Sequence, residues 1–243
     1  MVLNISIHWY ELKIRIAYFL NAFFFSTGCF IFNGDLILYF FVKTFLIENL
    51  NKTFIFTNLL EGFFSYIFIS IFCSGFVTLP LCLYLGFSFF KNGFFKKEKD
   101  LCIFFIKNSM TMSTISFLIT HNYFFPLCIK FFLSFEQSNS YSSFQLYMQP
   151  KIFDYLALNV SCFITFSLLF HLPIILSILI YSHAGSLSFF CKNRRILILV
   201  CFISGCIFSP PDIFSQIVIA IPLWFCTESI ILYNFIAKYY TLN

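Results

Sequence analysis

The stretch Phe208-Ser-Pro-Pro-Asp-Ile-Phe-Ser-Gln216 lies between two strongly apolar runs, residues 196–207 and 217–225. Its consecutive prolines, Pro210 and Pro211, lack N–H donors and crowd the preceding turn, so no helix runs through them. The first apolar run therefore stops near Ser209. Asp212 follows at once and is placed to cap the next helix through its side-chain oxygen. The stretch reads as a tight hairpin between two short membrane segments.

The rest of the chain is of the same kind. Hydrophobic residues make up 60% and charged residues 10%, against about 25% charged in soluble domains. Such a chain cannot build a solvated surface all round. The 41 Phe, with Ile, Tyr, Asn and Lys also common, are the bias that an AT-rich coding sequence produces, as in organellar genomes. The first residues show no basic region followed by an apolar core and a small-residue cleavage site, and no Arg/Ser-rich presequence. Synthesis inside the compartment of use is therefore expected. The 10 Cys stand singly, most of them in apolar runs and without a CxxC pair; they read as small apolar packing residues.

A spanning helix needs about 20 apolar residues. By that measure the expected fold is an all-α integral membrane protein with six transmembrane helices, at residues 16–32, 63–90, 101–129, 154–181, 196–209 and 212–233. Pro126 falls near the outer end of the third. Residues 36–47, with Lys43 among them, are too short to span and read as an interfacial helix. An even number of spans puts both termini on one side. Basic residues choose that side: Lys13 and Arg15, Lys91 to Lys99, Lys192 to Arg195 and Lys238 all fall on the termini and alternate loops. These face the compartment of synthesis by the positive-inside rule. The fifth and sixth spans are short. Residues 196–209 reach roughly 21 Å at 1.5 Å per residue, against a hydrocarbon core of about 30 Å. One polytopic domain over residues 1–243 is expected.

Polar groups inside such spans are expensive, so each is a functional candidate. His171 falls midway along the fourth span and Glu228 in the inner half of the sixth. His171 reads either as an imidazole hydrogen-bonded to a facing helix or as a polar contact for a partner. Glu228 reads either as a paired or snorkelling carboxylate or as such a contact. Glu11 at the start of the first helix also suits the positive end of a helix dipole. Glu98, among Lys96, Lys97 and Lys99, also suits a solvated ion pair. No second histidine lies at the depth of His171, because His8, His121 and His183 fall elsewhere. No Ser/His/Asp constellation, phosphate loop or HExxH occurs. Neither a catalytic site, a metal nor a cofactor is expected.

Several stretches together resemble one family. His8-Trp-Tyr-Glu11-Leu12-Lys13-Ile14-Arg15 has the form His-x-x-Glu-Leu-x-x-Arg. Phe89-Phe90-Lys91-Asn92-Gly93-Phe94-Phe95-Lys96-Lys97-Glu98-Lys99 is similar to Phe-x-x-Pro-Gly-Leu-Tyr-x-x-Glu-[Lys/Arg], with Asn92 for the proline and Phe94-Phe95 for Leu-Tyr. Phe124-Phe125-Pro126, Asp154-Tyr155-Leu156 and Arg194-Arg195 follow in order. Phe170-His171-Leu172-Pro173 carries His where the pattern has Glu or Gln. Ser209 to Gln216, with Ile221-Pro222-Leu223 and Glu228, resembles Thr-Pro-Pro-Asp-x-x-Ser-Gln…Pro-Leu…Glu. The order and content resemble TatC, the multispanning core of the twin-arginine protein translocase. The prolines usual in that family's first outer loop are missing.

The resemblance implies a signal-peptide receptor, not an enzyme, that passes folded proteins across an energy-transducing membrane on the proton-motive force. It implies a signal-peptide site at Glu11, Arg15, Glu98 and Lys99. It implies polar docking points at His171, Gln216 and Glu228, and a structural hairpin at Pro210, Pro211 and Asp212. The partners implied are single-span TatA/TatB-like proteins, folded cargo bearing twin arginines, the bilayer and further copies of the chain, with no nucleic acid. Two carboxylates can select paired arginines over lysines, because a guanidinium binds a carboxylate bidentately. The other readings are a six-span permease subunit of an organellar ABC-type exporter for cytochrome c maturation and a respiratory-chain subunit. Neither accounts for the Pro-Pro-Asp hairpin or for Glu98. The expected location is the mitochondrial inner membrane, with the plastid thylakoid as the alternative.

Overall fold

A protein in hydrocarbon has no water to satisfy its peptide groups, and helices satisfy them within one segment. A computed structural model describes residues 2–48, 53–91, 93–136, 148–181, 192–208 and 213–242. These form α1 (Val2–Phe32), α2 (Gly34–Glu48), α3 (Glu61–Phe90), α4 (Lys96–Ile119), a π-helical turn (Thr120–Phe124), α5 (Phe125–Leu133), α6 (Ile152–Phe170), α7 (Leu172–Tyr181), α8 (Arg194–Phe208) and α9 (Ile213–Leu242). Among the described residues the only β pairing is an isolated bridge, Ile55 to Lys151. Among the described residues, four helices are long and apolar enough to cross a membrane: His8–Phe32, Glu61–Phe90, Glu98–Leu133 and Ile152–Leu176.

The expected boundaries need four corrections. The first helix does not start at Ile16 but at Val2, because helical backbone bonding does not depend on the side chains being apolar. The third does not end at Ile129; it runs through Pro126 and continues to Leu133. Pro126 cannot donate to the turn before it, and the chain accommodates this with i→i+5 bonding, the Phe125 N–H donating to Thr120 O. The fourth is broken at His171. The sixth is not a short helix: α9 has 30 residues, and only its apolar portion, Ala220–Ile236, is short. Helix length follows backbone bonding and not apolarity. The fifth, α8, is short as expected at 15 residues. The hairpin residues Pro210, Pro211 and Asp212 lie outside the described residues.

The chain forms two compact units. The first comprises Met1–Lys43, Thr53–Met110 and Pro150–Val160. Here α1 packs along α3. The start of α2 is seated on α3, where the Tyr66 hydroxyl donates to Asp35 Oδ1 at 2.6 Å. Gly34 makes this approach possible, since a Cβ there would stand 2.6 Å from the Tyr66 ring. The Tyr155 hydroxyl donates to Phe41 O at 3.0 Å, and Phe41 meets Phe72 edge-on at 6.3 Å. The helix expected over residues 36–47 is therefore present and packed through Phe41, which is buried. Along α3, Ser65, Ser70, Ser74 and Thr78 are buried, and each hydroxyl donates to a carbonyl three or four residues back. These four buried hydroxyls thus need no partner from another helix.

The second unit comprises Thr44–Lys52, Thr111–Gln149 and Ser161–Asn243. Its core joins Phe124, Phe166, Phe170, Cys201 and Leu223. Cys128 and Cys201 are buried, and every described cysteine is free, in keeping with cysteine as a packing residue. Phe124 and Phe166 have ring centroids 4.4 Å apart. Phe166→Ala should lower unfolding stability in detergent by about 3–5 kcal/mol, as for large-to-small changes at buried aromatics; chemical denaturation of the purified variant checks this.

Candidate functional site

Glu11 lies one turn before Arg15 on α1, the spacing at which helical side chains meet. Arg15 Nη2 donates to Glu11 Oε1 at 2.5 Å, and His8 Nδ1 is 3.9 Å from Glu11 Oε2. The other end of the guanidinium crosses to α3, Arg15 Nη1 donating to Leu85 O at 3.4 Å. Arg15 Nε is buried without a partner among the described residues. Arg15 therefore ties Glu11 to the end of α3. Beside this pair lies an apolar groove of about 230 Å³, lined by Leu12, Ile16 and Phe19 of α1 and by Leu85, Phe89 and Phe90 of α3, with Gly86 leaving it open.

Glu98 sits at the third position of α4 and accepts the Phe95 N–H at 2.8 Å. A glutamate there reaching back to the N-cap amide is half of a capping box. Lys99 is half-buried and makes no ion pair with a described residue. Glu11, Arg15, Glu98 and Lys99 all belong to the first unit, but no hydrogen bond or ion pair links Glu98 to Glu11 or Arg15 among the described residues. Glu98 and Lys99 lie in the first turn of α4, whereas Glu11 and Arg15 lie inside α1 and not at its start, so the helix-dipole reading of Glu11 does not apply. The sequence pattern did not reveal that Glu11 already holds a guanidinium.

In the second unit, Glu228 Oε1 of α9 pairs with Arg194 Nη1 of α8 at 3.3 Å. Arg194 was legible only as one of a basic pair; its carboxylate partner lies 34 residues on. The Gln216 amide donates to Phe202 O at 3.2 Å. Gly205 lets α8 and α9 close up, since a Cβ there would stand 3.1 Å from Gln216 O. Three contacts thus fasten α8 to α9.

His171 occupies the break between α6 and α7. Pro173 offers no N–H, and the turn tightens, so the His171 N–H donates to Leu168 O at 3.1 Å and not to Ser167 O one residue earlier. Ser167 O is taken up instead by His171 Nδ1 at 2.5 Å. A carbonyl only accepts, so Nδ1 carries a proton here. The imidazole repairs a backbone bond that the proline break removes. No group of His, Cys, Asp or Glu among the described residues could hold a metal ion.

Comparison with known proteins gives one consistent result. The profile of the family described as Sec-independent protein translocase protein (TatC) matches residues 7–222. That span includes Glu11, Glu98, His171 and Gln216 and stops short of Glu228. The tatC-like protein ymf16 of Reclinomonas americana is 34% identical over 96% of this chain and 92% of its own length. The Sec-independent protein translocase protein TatC of Rickettsia prowazekii is 31% identical over 97% of this chain and 94% of its own. A crystal structure of the twin arginine translocase receptor TatC superposes with a TM-score of 0.67 at 22% identity, covering 93% of this chain and 98% of that one.

His171→Leu should lower stability by about 1 kcal/mol, because it leaves a part-buried carbonyl without its donor. His171→Gln, whose amide can donate, should lose less. Thermal unfolding of the two purified variants in one detergent checks the order.

Proposed function

The chain belongs to the TatC family: it is a multi-pass membrane protein and a core subunit of the Sec-independent translocase, and we propose that Glu11 and Glu98 read the paired arginines of its signal peptides. It is a transport component and not an enzyme. The family match over residues 7–222 leaves the exporter-permease reading without support.

One observation carries the proposal. Glu11 already binds a guanidinium, that of Arg15, beside a groove that is apolar on both walls. An incoming arginine takes the same geometry, and the apolar part of the peptide lies along Phe89 and Phe90. Arginine-carboxylate bonds are charge-assisted and geometrically selective. Glu98 supplies the second carboxylate, with one oxygen engaged by the Phe95 amide, and Lys99 stands beside it. Arg15 holds Glu11 in place until the peptide arrives.

The proposal extends to topology and partners. Six spans put both termini on the side of synthesis, with residues 1–243 acting as one domain. The chain works with single-span TatA/TatB-like partners and further copies of itself to move folded, twin-arginine cargo on the proton-motive force. The short apolar parts of α8 and α9 form the docking side, where Gln216, Glu228 and His171 present polar groups at depth. The mitochondrial inner membrane is the proposed location. The Phe-rich composition and the relatives named ymf16 support it over a thylakoid.

Glu98→Gln and Glu11→Gln should each weaken cross-linking of a twin-arginine peptide about tenfold, the effect of one lost charge-assisted bond of ~1.4 kcal/mol, with protein levels unchanged. Undiminished cross-linking in both variants overturns the assignment.

A further inference from the structure

A second cavity in the first unit lies far along α3 from the Glu11 groove. It measures about 840 Å³ and opens between the 53–60 connection, the first turns of α3 and the start of α6. One wall is a single stripe of α3: Phe64, Ile67, Phe68 and Ile71. From Leu60 to Ile71 that stripe descends roughly 16 Å at 1.5 Å per residue. Phe153 of α6 closes the opposite side, its ring 5.4 Å from that of Phe68. Phe64 and Ile71 remain about half exposed, at 52% and 48%.

The rim is polar and carries charges of both signs. Glu61 is engaged: its Oε2 accepts the Thr57 N–H at 2.8 Å, the Thr57 hydroxyl at 3.0 Å and the Asn58 N–H at 3.3 Å. Lys151 and Asp154 are exposed, and neither makes an ion pair or side-chain hydrogen bond with a described residue. They are three residues apart at the start of α6 and do not pair with each other. An anion over Lys151 also meets the N-terminal end of α6, where the helix dipole favours negative charge. Beside the rim, Leu59 and Leu60 stand exposed in the connection, at 104% and 60%. Two bare leucines next to free charges are what a membrane boundary accommodates.

We infer that this cavity binds one zwitterionic membrane phospholipid, its phosphate on Lys151, its ammonium on Asp154 and an acyl chain along Phe64, Ile67, Phe68 and Ile71. Charge complementarity selects the headgroup. A lipid with a net negative charge gains from Lys151 but meets Asp154 and Glu61 uncompensated. A headgroup with both charges matches both free side chains. The apolar stripe is deeper than a headgroup needs and has the direction of a lipid chain, because α3 crosses the bilayer. Filling the slot also covers the contact between the first turns of α3 and α6, which Phe68 and Phe153 make.

The inference rests on α3 crossing a bilayer, and its test reads lipid and not peptide, so its failure leaves the arginine-reading proposal standing. The purified full chain is offered phosphatidylethanolamine, phosphatidylcholine and phosphatidylglycerol at equal concentration in detergent. Bound lipid is then read by native mass spectrometry. The expected result is one retained ethanolamine or choline lipid per chain, about tenfold over phosphatidylglycerol, for the loss of one charge-assisted contact. Lys151→Glu should abolish that excess. Asp154→Lys should turn the preference towards phosphatidylglycerol, which a merely misfolded variant would not do. Equal retention of all three lipids, no retained lipid, or a preference unchanged in both variants overturns it.

Discussion

A chain in hydrocarbon must satisfy its own peptide groups, and the rest of this structure follows from that constraint. Each unsatisfied group in the membrane interior costs several kcal/mol. The described residues accordingly fall almost wholly into helices. The same economy governs side chains. Ser65, Ser70, Ser74 and Thr78 return their hydroxyl protons to their own helix. A Phe-rich sequence can then fill the space between helices with rings alone, as Phe124 and Phe166 do.

Where proline breaks the backbone pattern, local repairs appear, and they explain residues that otherwise look functional. Pro126 is met by a π turn. Pro173 is met by a tightened turn and by the His171 ring on Ser167 O. His171 therefore has a structural task at its own helix break, in addition to the docking role proposed for it. Glu228 has a similar double character. Its pairing with Arg194 holds α8 to α9 and places a charge pair on the helices proposed to meet a partner.

The helices were legible because apolar run length and proline position are local properties. Residues 63–90 and 196–209 match α3 and α8 to within two residues. What was not legible depends on the folded chain. The extension of α9 to Leu242 is a matter of backbone bonding through residues of mixed polarity. The capture of Glu11 by Arg15 went unread although the two stand at an i, i+4 spacing, and the anchoring of Arg15 to Leu85 O is 70 residues distant. The pairing of Arg194 with Glu228 and the lipid-shaped slot between α3 and α6 likewise join segments that no spacing rule connects.

The central claim is that two carboxylates on the first unit discriminate guanidinium from ammonium. The most direct measurement compares equilibrium binding of a twin-arginine signal peptide with that of its Lys-Lys counterpart to the full chain in bilayers. The account predicts that the arginine peptide binds about tenfold tighter, since bidentate pairing is open to arginine alone, and that Glu11→Gln/Glu98→Gln removes the preference. Equal affinity for the two peptides in the unsubstituted chain would contradict it.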